Sequence, residues 1–312
     1  MTLWEILRAQ RFVCSDDLFA RLAAEKLNGG RMPRNTIAIQ HGAGTFKATA
    51  EGKNVVWQYG TQEIHGSTCN FTVTDDNAQI LVSFDGLLTK FVSNSDAQIL
   101  LDLSDLGGKV TYYLNLYNCK NITGNLSDLG GKVTYYLNLF NCNNTTGSLS
   151  DLDGKLTNYL NLYNCTNITG SLSDLGGKLT TSLSLHNCTN ITGSLADLGG
   201  KLTTSLNLSD CPNITGSLSD LGGKLTNYLN LSGCQNITGV YSGNSYPTSV
   251  NLSNTGLTAA DMDQTLINFN AGTTKSGTFT ANGMTRTAAS DDAVAGLTEK
   301  GWKFTGLTKI EG

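Results

Sequence analysis

The amino-acid sequence predicts an α/β-type solenoid with one parallel sheet, preceded by a small β-sandwich-like domain and a short helical amino terminus. Three observations carry that reading. A 23-residue unit beginning at Leu103 recurs at Leu126, Leu149, Leu172, Leu195 and Leu218 with no insertion or deletion. Each unit holds a Leu-x-Leu pair, such as Leu160 and Leu162, which places both side chains on one face of a strand. A glycine stands at the same place in every unit: Gly124, Gly147, Gly170, Gly193, Gly216 and Gly239. A fixed period in this range marks coils that bury their apolar positions only against their neighbours.

Residues 1–34 read as two short amphipathic helices. Leu3, Trp4, Ile6, Leu7 and Phe12 form a stripe on the first. Ser15 can cap the second, Asp16 and Asp17 lie in its first turn, and Leu18, Phe19, Leu22, Ala23 and Leu27 make its apolar face before Gly29-Gly30. Such a pair buries little by itself, so 1–34 is expected to cap the next domain or dock the chain to a larger assembly. Over 35–86 the pattern changes to period two. Strands are expected at Thr36–Ile39, Thr45–Ala50, Asn54–Tyr59, Cys69–Val73 and Ile80–Phe84, separated by turn residues such as Glu51-Gly52-Lys53. With Trp57 as core aromatic, this segment resembles small immunoglobulin-like or PKD-like modules.

The solenoid is expected over 87–258. Phe91, Asp96 and Ile99 already fall 23 residues before Leu114, Cys119 and Ile122, but Ser93 and Leu101 replace the usual Leu and Gly, as in an atypical first turn. In the full units Leu114, Leu116, Ile122 and Leu126 and their equivalents point inward. Cys119, Cys142, Cys165, Cys188, Cys211 and Cys234 form a column expected to be buried and reduced, because stacked side chains run parallel rather than toward each other. The glycine column is expected at positive φ. Asn121, Asn144, Asn167, Asn190, Asn213 and Asn236 predict an amide ladder from coil to coil. The repeat also accounts for its Asn-x-Thr triplets without glycosylation.

Ser-Asp-Leu-Gly-Gly-Lys is too short for a full α-helix and predicts one 3₁₀ turn or an extended arc. Its aspartate column (Asp105 to Asp220) precedes a lysine column (Lys109 to Lys224) by four residues, and the lysines are expected to offset the carboxylates, with calcium as the alternative. Gly-Gly-Lys-Leu-Thr lacks the spacing of a phosphate-binding loop. Over 259–312 two helices and two strands are expected as longer capping repeats, opened by the capping box Thr258-Ala-Ala-Asp261.

The motif Leu-x-Leu-x-x-Cys-x-x-Ile-Thr-Gly, seen in Leu160, Leu162, Cys165, Ile168, Thr169 and Gly170, resembles the leucine-rich repeat in the variant that has Cys where many families have Asn. The order of β-module, glycine- and asparagine-rich repeats and helical cap is similar to leucine-rich proteins of tailed-phage tails or virions and of gut-bacterial surfaces. That resemblance implies a virion-surface or exported role and carries over no catalytic residue. Glu5, Arg8, Arg11, Asp16 and Asp17 interrupt any apolar stretch at the amino terminus, so no cleaved secretory signal is expected.

A net charge of −4, with 15% of residues charged, argues against nucleic-acid binding, which needs a basic stripe. No apolar run reaches the length of a membrane span. His41, His65 and His186 lie in different regions, so the chain is expected to be non-enzymatic, without metal or cofactor. The informative positions are the outward strand columns. One reads Tyr113, Tyr136, Tyr159, Ser182, Ser205, Tyr228; the next Asn115, Asn138, Asn161, Ser184, Asn207, Asn230; the third Tyr117, Phe140, Tyr163, His186, Ser209, Ser232. With Tyr112 and Tyr135, the aromatics and asparagines of the first three units form a candidate binding face. Tyrosine beside amide suits a glycan or a protein partner on a host surface, while stacking that merely stabilises the sheet is the structural alternative.

Overall fold

The computed structural model describes residues 35–93 and 96–311. The helices expected over 1–34 lie outside the described residues. The chain begins with five strands: β1 (Asn35–His41), β2 (Gly44–Tyr59), β3 (Gln62–His65), β4 (Thr68–Val73) and β5 (Ala78–Val92). Two expected strands, at 45–50 and 54–59, are one. The turn residues Glu51-Gly52-Lys53 sit in a bulge, with register shifts between Glu51 and Val56, which bends the strand without ending it. The front half of β2 therefore pairs with β4, its far end with β3, and both parts with β5. The result is one hydrogen-bonded network joined to the repeat sheet. Trp57 is fully buried at the bend, its ring centroid 6.2 Å from that of Phe46 and 6.4 Å from that of Phe91, and its Nε1 donates to the Gly66 carbonyl at 3.1 Å.

Strand β5 does two jobs. Its first half runs antiparallel between β1 and β2; its second pairs in parallel with Val110–Asn115, Phe91 opposite Leu114. The register expected for Phe91 is thus the observed one, and the sheet starts on a strand that is already paired on its other side. From there Tyr136–Asn138, Tyr159–Asn161, Ser182–Ser184, Ser205–Asn207 and Tyr228–Asn230 follow in parallel register 23 residues apart, then Ser249–Asn251, Gly277–Arg286 and Trp302–Lys309. This repeating strand and 3₁₀-turn pattern on a long parallel sheet is consistent with a leucine-rich-repeat-like solenoid. We call the units beginning at Leu103, Leu126, Leu149, Leu172, Leu195 and Leu218 coils 1 to 6.

The single parallel sheet expected from sequence is corrected by a second ladder of five short parallel strands: Gly147–Ser148, Ile168–Ser171, Ile191–Ser194, Ile214–Ser217 and Asn236–Thr238. The β-branched Ile-Thr pair favours extended backbone. Ile168 and its equivalents turn inward, while Thr169 Oγ1 donates to the Gly147 carbonyl of the preceding coil at 3.2 Å, a contact repeated at Thr192 and Thr215.

Between the two ladders each coil makes one tight turn. Coil 1 has a single α-turn, Leu103–Leu106; the others have 3₁₀ turns such as Leu172–Leu175. Each carries a capping box. In coil 4 the Ser171 hydroxyl accepts from the Ser173 amide at 3.2 Å, and Asp174 Oδ2 accepts from the Ser171 amide at 2.8 Å. Asp128, Asp151, Asp197 and Asp220 repeat the second contact at 2.8–2.9 Å. The carboxylates of coils 2 to 6 therefore accept from backbone donors at the turn start, where a negative group is favoured.

Two polar columns line the bend after the main strand. The expected amide ladder of Asn121 and its equivalents is not amide to amide: each Nδ2 donates to a backbone carbonyl of the preceding coil, as Asn167 does to Asn143 O at 3.0 Å. The true amide ladder lies three residues earlier. Asn141 donates to Asn118, Asn164 to Asn141 and Asn187 to Asn164, at 3.1, 2.9 and 3.3 Å. These asparagines sit at φ near +60°, a left-handed conformation asparagine tolerates. The six column cysteines are fully buried, reduced thiols, each donating to a leucine or serine carbonyl 26 residues back at 2.9–3.2 Å.

At the far end helix Ala259–Ala271 starts on the expected box, Thr258 with Asp261. Phe269 packs edge-on against Phe279, Trp302 and Tyr246. Asp263, buried in this helix, accepts from the Thr287 amide and hydroxyl and from the Ser290 hydroxyl, which ties helix to the following strand and helix Asp291–Glu299.

Candidate recognition face

The outward face of the main sheet carries every residue singled out from the sequence, and the strand register brings them into columns. Tyr113 stacks on Tyr136 and Tyr136 on Tyr159, with centroids 4.1 and 4.3 Å apart and planes within 6°. Tyr117, Phe140, Tyr163 and His186 form a second stack at 4.2–4.6 Å. Tyr112 and Tyr135 stack at 4.5 Å. Parallel strands about 4.8 Å apart impose this spacing on any ring repeated in register.

The stacking changes what these rings can offer. Both faces of Tyr136, Phe140 and Tyr163 are covered by neighbours, and the outer side of Tyr113 meets the Lys90 ammonium, 5.5 Å from its centroid. What reaches solvent is mainly ring edge and phenol tip, most of all at Tyr112, 47% exposed, and Tyr117, 38% exposed. Burial, and then the neighbouring Tyr159, push the Tyr136 phenol above its ordinary value.

The asparagines between the stacks are engaged rather than free. Asn115 Oδ1 accepts from the Tyr117 amide, Asn138 Oδ1 from Phe140 and Asn161 Oδ1 from Tyr163, at 3.0–3.1 Å. Asn138 and Asn161 also donate to the phenol oxygens of Tyr136 and Tyr159, and only 5% and 8% of their surface is exposed. They brace the tyrosines from within. The residues expected to hydrogen-bond a ligand are therefore largely committed to the sheet.

Two histidines acquire partners that spacing alone did not reveal. His41 is fully buried, with Nε2 3.0 and 3.1 Å from the Asp96 carboxylate and Nδ1 2.5 Å from the Gly42 carbonyl; it clips the loop before Ile99 onto β1. His186 Nδ1 lies 2.6 Å from Ser209 Oγ and 3.6 Å from Asp210. These residue types resemble a hydrolytic triad in composition, but serine and aspartate approach the same ring nitrogen, and Ser209 Oγ donates its proton to Asn207 Oδ1 at 2.7 Å. Burial lowers the pKa of His186 against the opposing pull of Asp210.

Among the described residues no group of three or more His, Cys, Asp and Glu side chains is placed to hold a metal, and no helix is long and apolar enough to cross a membrane. Comparisons with protein-family models, curated proteins and solved structures gave no match.

Proposed function

We propose that this chain is a non-enzymatic recognition protein of leucine-rich-repeat type, a phage tail or virion adhesin that contacts a glycan or receptor on the host surface through the outward face of its repeat sheet. The observation that carries the reading is a contrast within one sheet. The inward columns keep the same residue types from coil to coil, apart from Thr145 in the isoleucine column, whereas the outward ones change from aromatic in coils 1–3 to mostly hydroxyl in coils 4–6. Stability of the stack alone does not require such a change. The virion placement rests on the order of modules in the sequence; a bacterial surface or secreted interaction protein is the alternative placement. Attachment to a larger assembly is assigned to residues 1–34.

The close stacking favours a second reading, in which the aromatic columns only stiffen the sheet. Tyr117→Ala and Tyr136→Ala separate the two. Recognition through coils 1–3 predicts that Tyr117→Ala, at the exposed end of its stack, lowers binding to a panel of intact bacterial cells by about tenfold with little change in melting. Stiffening alone predicts that Tyr136→Ala, which loses two stacking partners worth about 0.5–1.5 kcal/mol each, melts earlier, while both folded variants bind like the parent.

A further inference from the structure

The tyrosine column has a gap, and the gap is built like a binding slot. After Tyr113, Tyr136 and Tyr159 the same outward position is Ser182 and then Ser205 before Tyr228 returns. Among the described residues no ring covers the face of Tyr159 turned toward coil 4, or the face of Tyr228 turned toward coil 5. These two open faces look at each other across two small residues. Three coil steps of about 4.7 Å put the two rings roughly 14 Å apart.

The walls are held in place. Asn161 Nδ2 donates to the Tyr159 phenol at 3.2 Å and Asn230 Nδ2 to the Tyr228 phenol at 2.9 Å. The floor is polar and open. In coil 5 the phenol that would take the amide proton is missing, because Ser205 stands where the tyrosine would be, so Asn207 Nδ2 has no partner among the described residues. The hydroxyls of Ser184 and Ser205 are likewise without one. Ser182 is only 9% exposed, its hydroxyl has no partner among the described residues, and it occupies the outward position directly opposite Tyr159. Its oxygen still reaches solvent, so it is open to a ligand that can replace water there.

We propose that this slot, walled by Tyr159 and Tyr228 and floored by Ser182, Ser184, Ser205 and Asn207, binds a neutral oligosaccharide. The inference rests on the reading of the sheet as a recognition face and moves the glycan site from the aromatic block to the gap beside it. Sugar rings carry apolar C–H faces that cover an aromatic ring, and hydroxyls that both donate and accept; the slot offers the complement of each. A sugar about 4 Å from each wall leaves about 6 Å between the two, so the slot takes two saccharide rings rather than one pressed between both walls. No Lys or Arg stands at the outward strand positions of coils 4 and 5, so an acidic glycan would find no counter-charge there.

The test uses the full chain on an array of neutral di- and trisaccharides of glucose, galactose and N-acetylglucosamine, followed by calorimetric titration of those that bind. Ser205→Tyr is the decisive variant, because it restores the Tyr-Leu-Asn pattern of coils 2 and 3, extends the stack from Tyr228 and shortens the slot to two coil steps, roughly 9 Å, too short for two saccharide rings. It is expected to abolish binding while melting at or above the parent temperature. Tyr228→Ala is expected to weaken binding about tenfold. Saccharide binding that survives Ser205→Tyr overturns the slot. So does failure of the parent to bind any array member with a dissociation constant below about 1 mM. Loss of cell binding in Tyr117→Ala but not in Ser205→Tyr would reject the slot and keep the recognition face; loss in neither would reject both.

Discussion

Gly170→Ala should be among the most damaging single-methyl changes in the repeats. Gly170 has φ +112°, where an L-residue is strained by about 1–3 kcal/mol. An added Cβ would lie 2.8 Å from Ser148 Oγ, 2.9 Å from Asp174 Oδ2 and 2.9 Å from the Leu149 amide nitrogen. Ser148 caps the turn of coil 3 and Asp174 closes the capping box of coil 4, so one methyl group pushes on two caps at once. Losing a cap costs about 1 kcal/mol, which brings the total to roughly 2–5 kcal/mol. In a unit of this size each kcal/mol lowers the melting temperature by about 2–4 °C, so a drop of roughly 5–15 °C is expected. The control is Gly176→Ala. Gly176 has φ +62°, its Cβ would meet nothing closer than the Gly154 carbonyl at 3.5 Å, and coil 3 already carries Asp153 at the equivalent place with φ +54°. That change should cost about 1 kcal/mol. Both variants would be followed by circular dichroism during heating and in urea. Equal shifts for the two glycines would refute the argument from interlocked caps.

Burial raises the column thiols, to about 11 for Cys165 and Cys234 and about 12 for Cys211, from an ordinary value of 9.0, with Cys142 and Cys188 also pushed upward. Thiol reagents should therefore leave these cysteines unmodified at pH 8 until the protein is unfolded, as residue-resolved mass spectrometry would show. Because the folded-state values are the higher ones, this contribution to stability is complete below pH 9 and is lost as pH rises through the folded values; a melting temperature indifferent to pH between 8 and 11 would contradict it. At the other end, burial would raise the Asp263 carboxyl, but hydrogen bonds from Ser290 and Thr287 outweigh it and hold it below 3.8. Its stabilisation is present above that pH and is lost as acid protonates the folded state. Asp263→Asn sets an amide against donors and should cost about 1–3 kcal/mol, read as earlier melting and faster amide exchange across 259–299.

Several columns were legible because the period places identical residues in identical surroundings. Once Leu114 and its equivalents are in register, the burial of the cysteines and the positive φ of the glycines follow from local geometry repeated six times. The order Ser148-x-x-Asp151 also encodes a capping box, which the four-residue spacing from aspartate to lysine obscures. The β-module was harder. Glu51-Gly52-Lys53 has the composition of a turn, and whether it ends a strand or bulges within it depends on β5 being there to pair on both sides.

Sequence alone determined the period, the inward columns and which residues would stand side by side on the outer face. Parallel strands admit no other neighbours once a 23-residue repeat is in register. Tertiary structure decided what those neighbours do to each other. Rings brought within 4.1–4.6 Å cover one another's faces, and Asn138 and Asn161 turn back to brace them. The faces left open lie where serine interrupts the stack. Availability of a side chain depends on what is packed against it, and that contact is made between coils rather than along the chain.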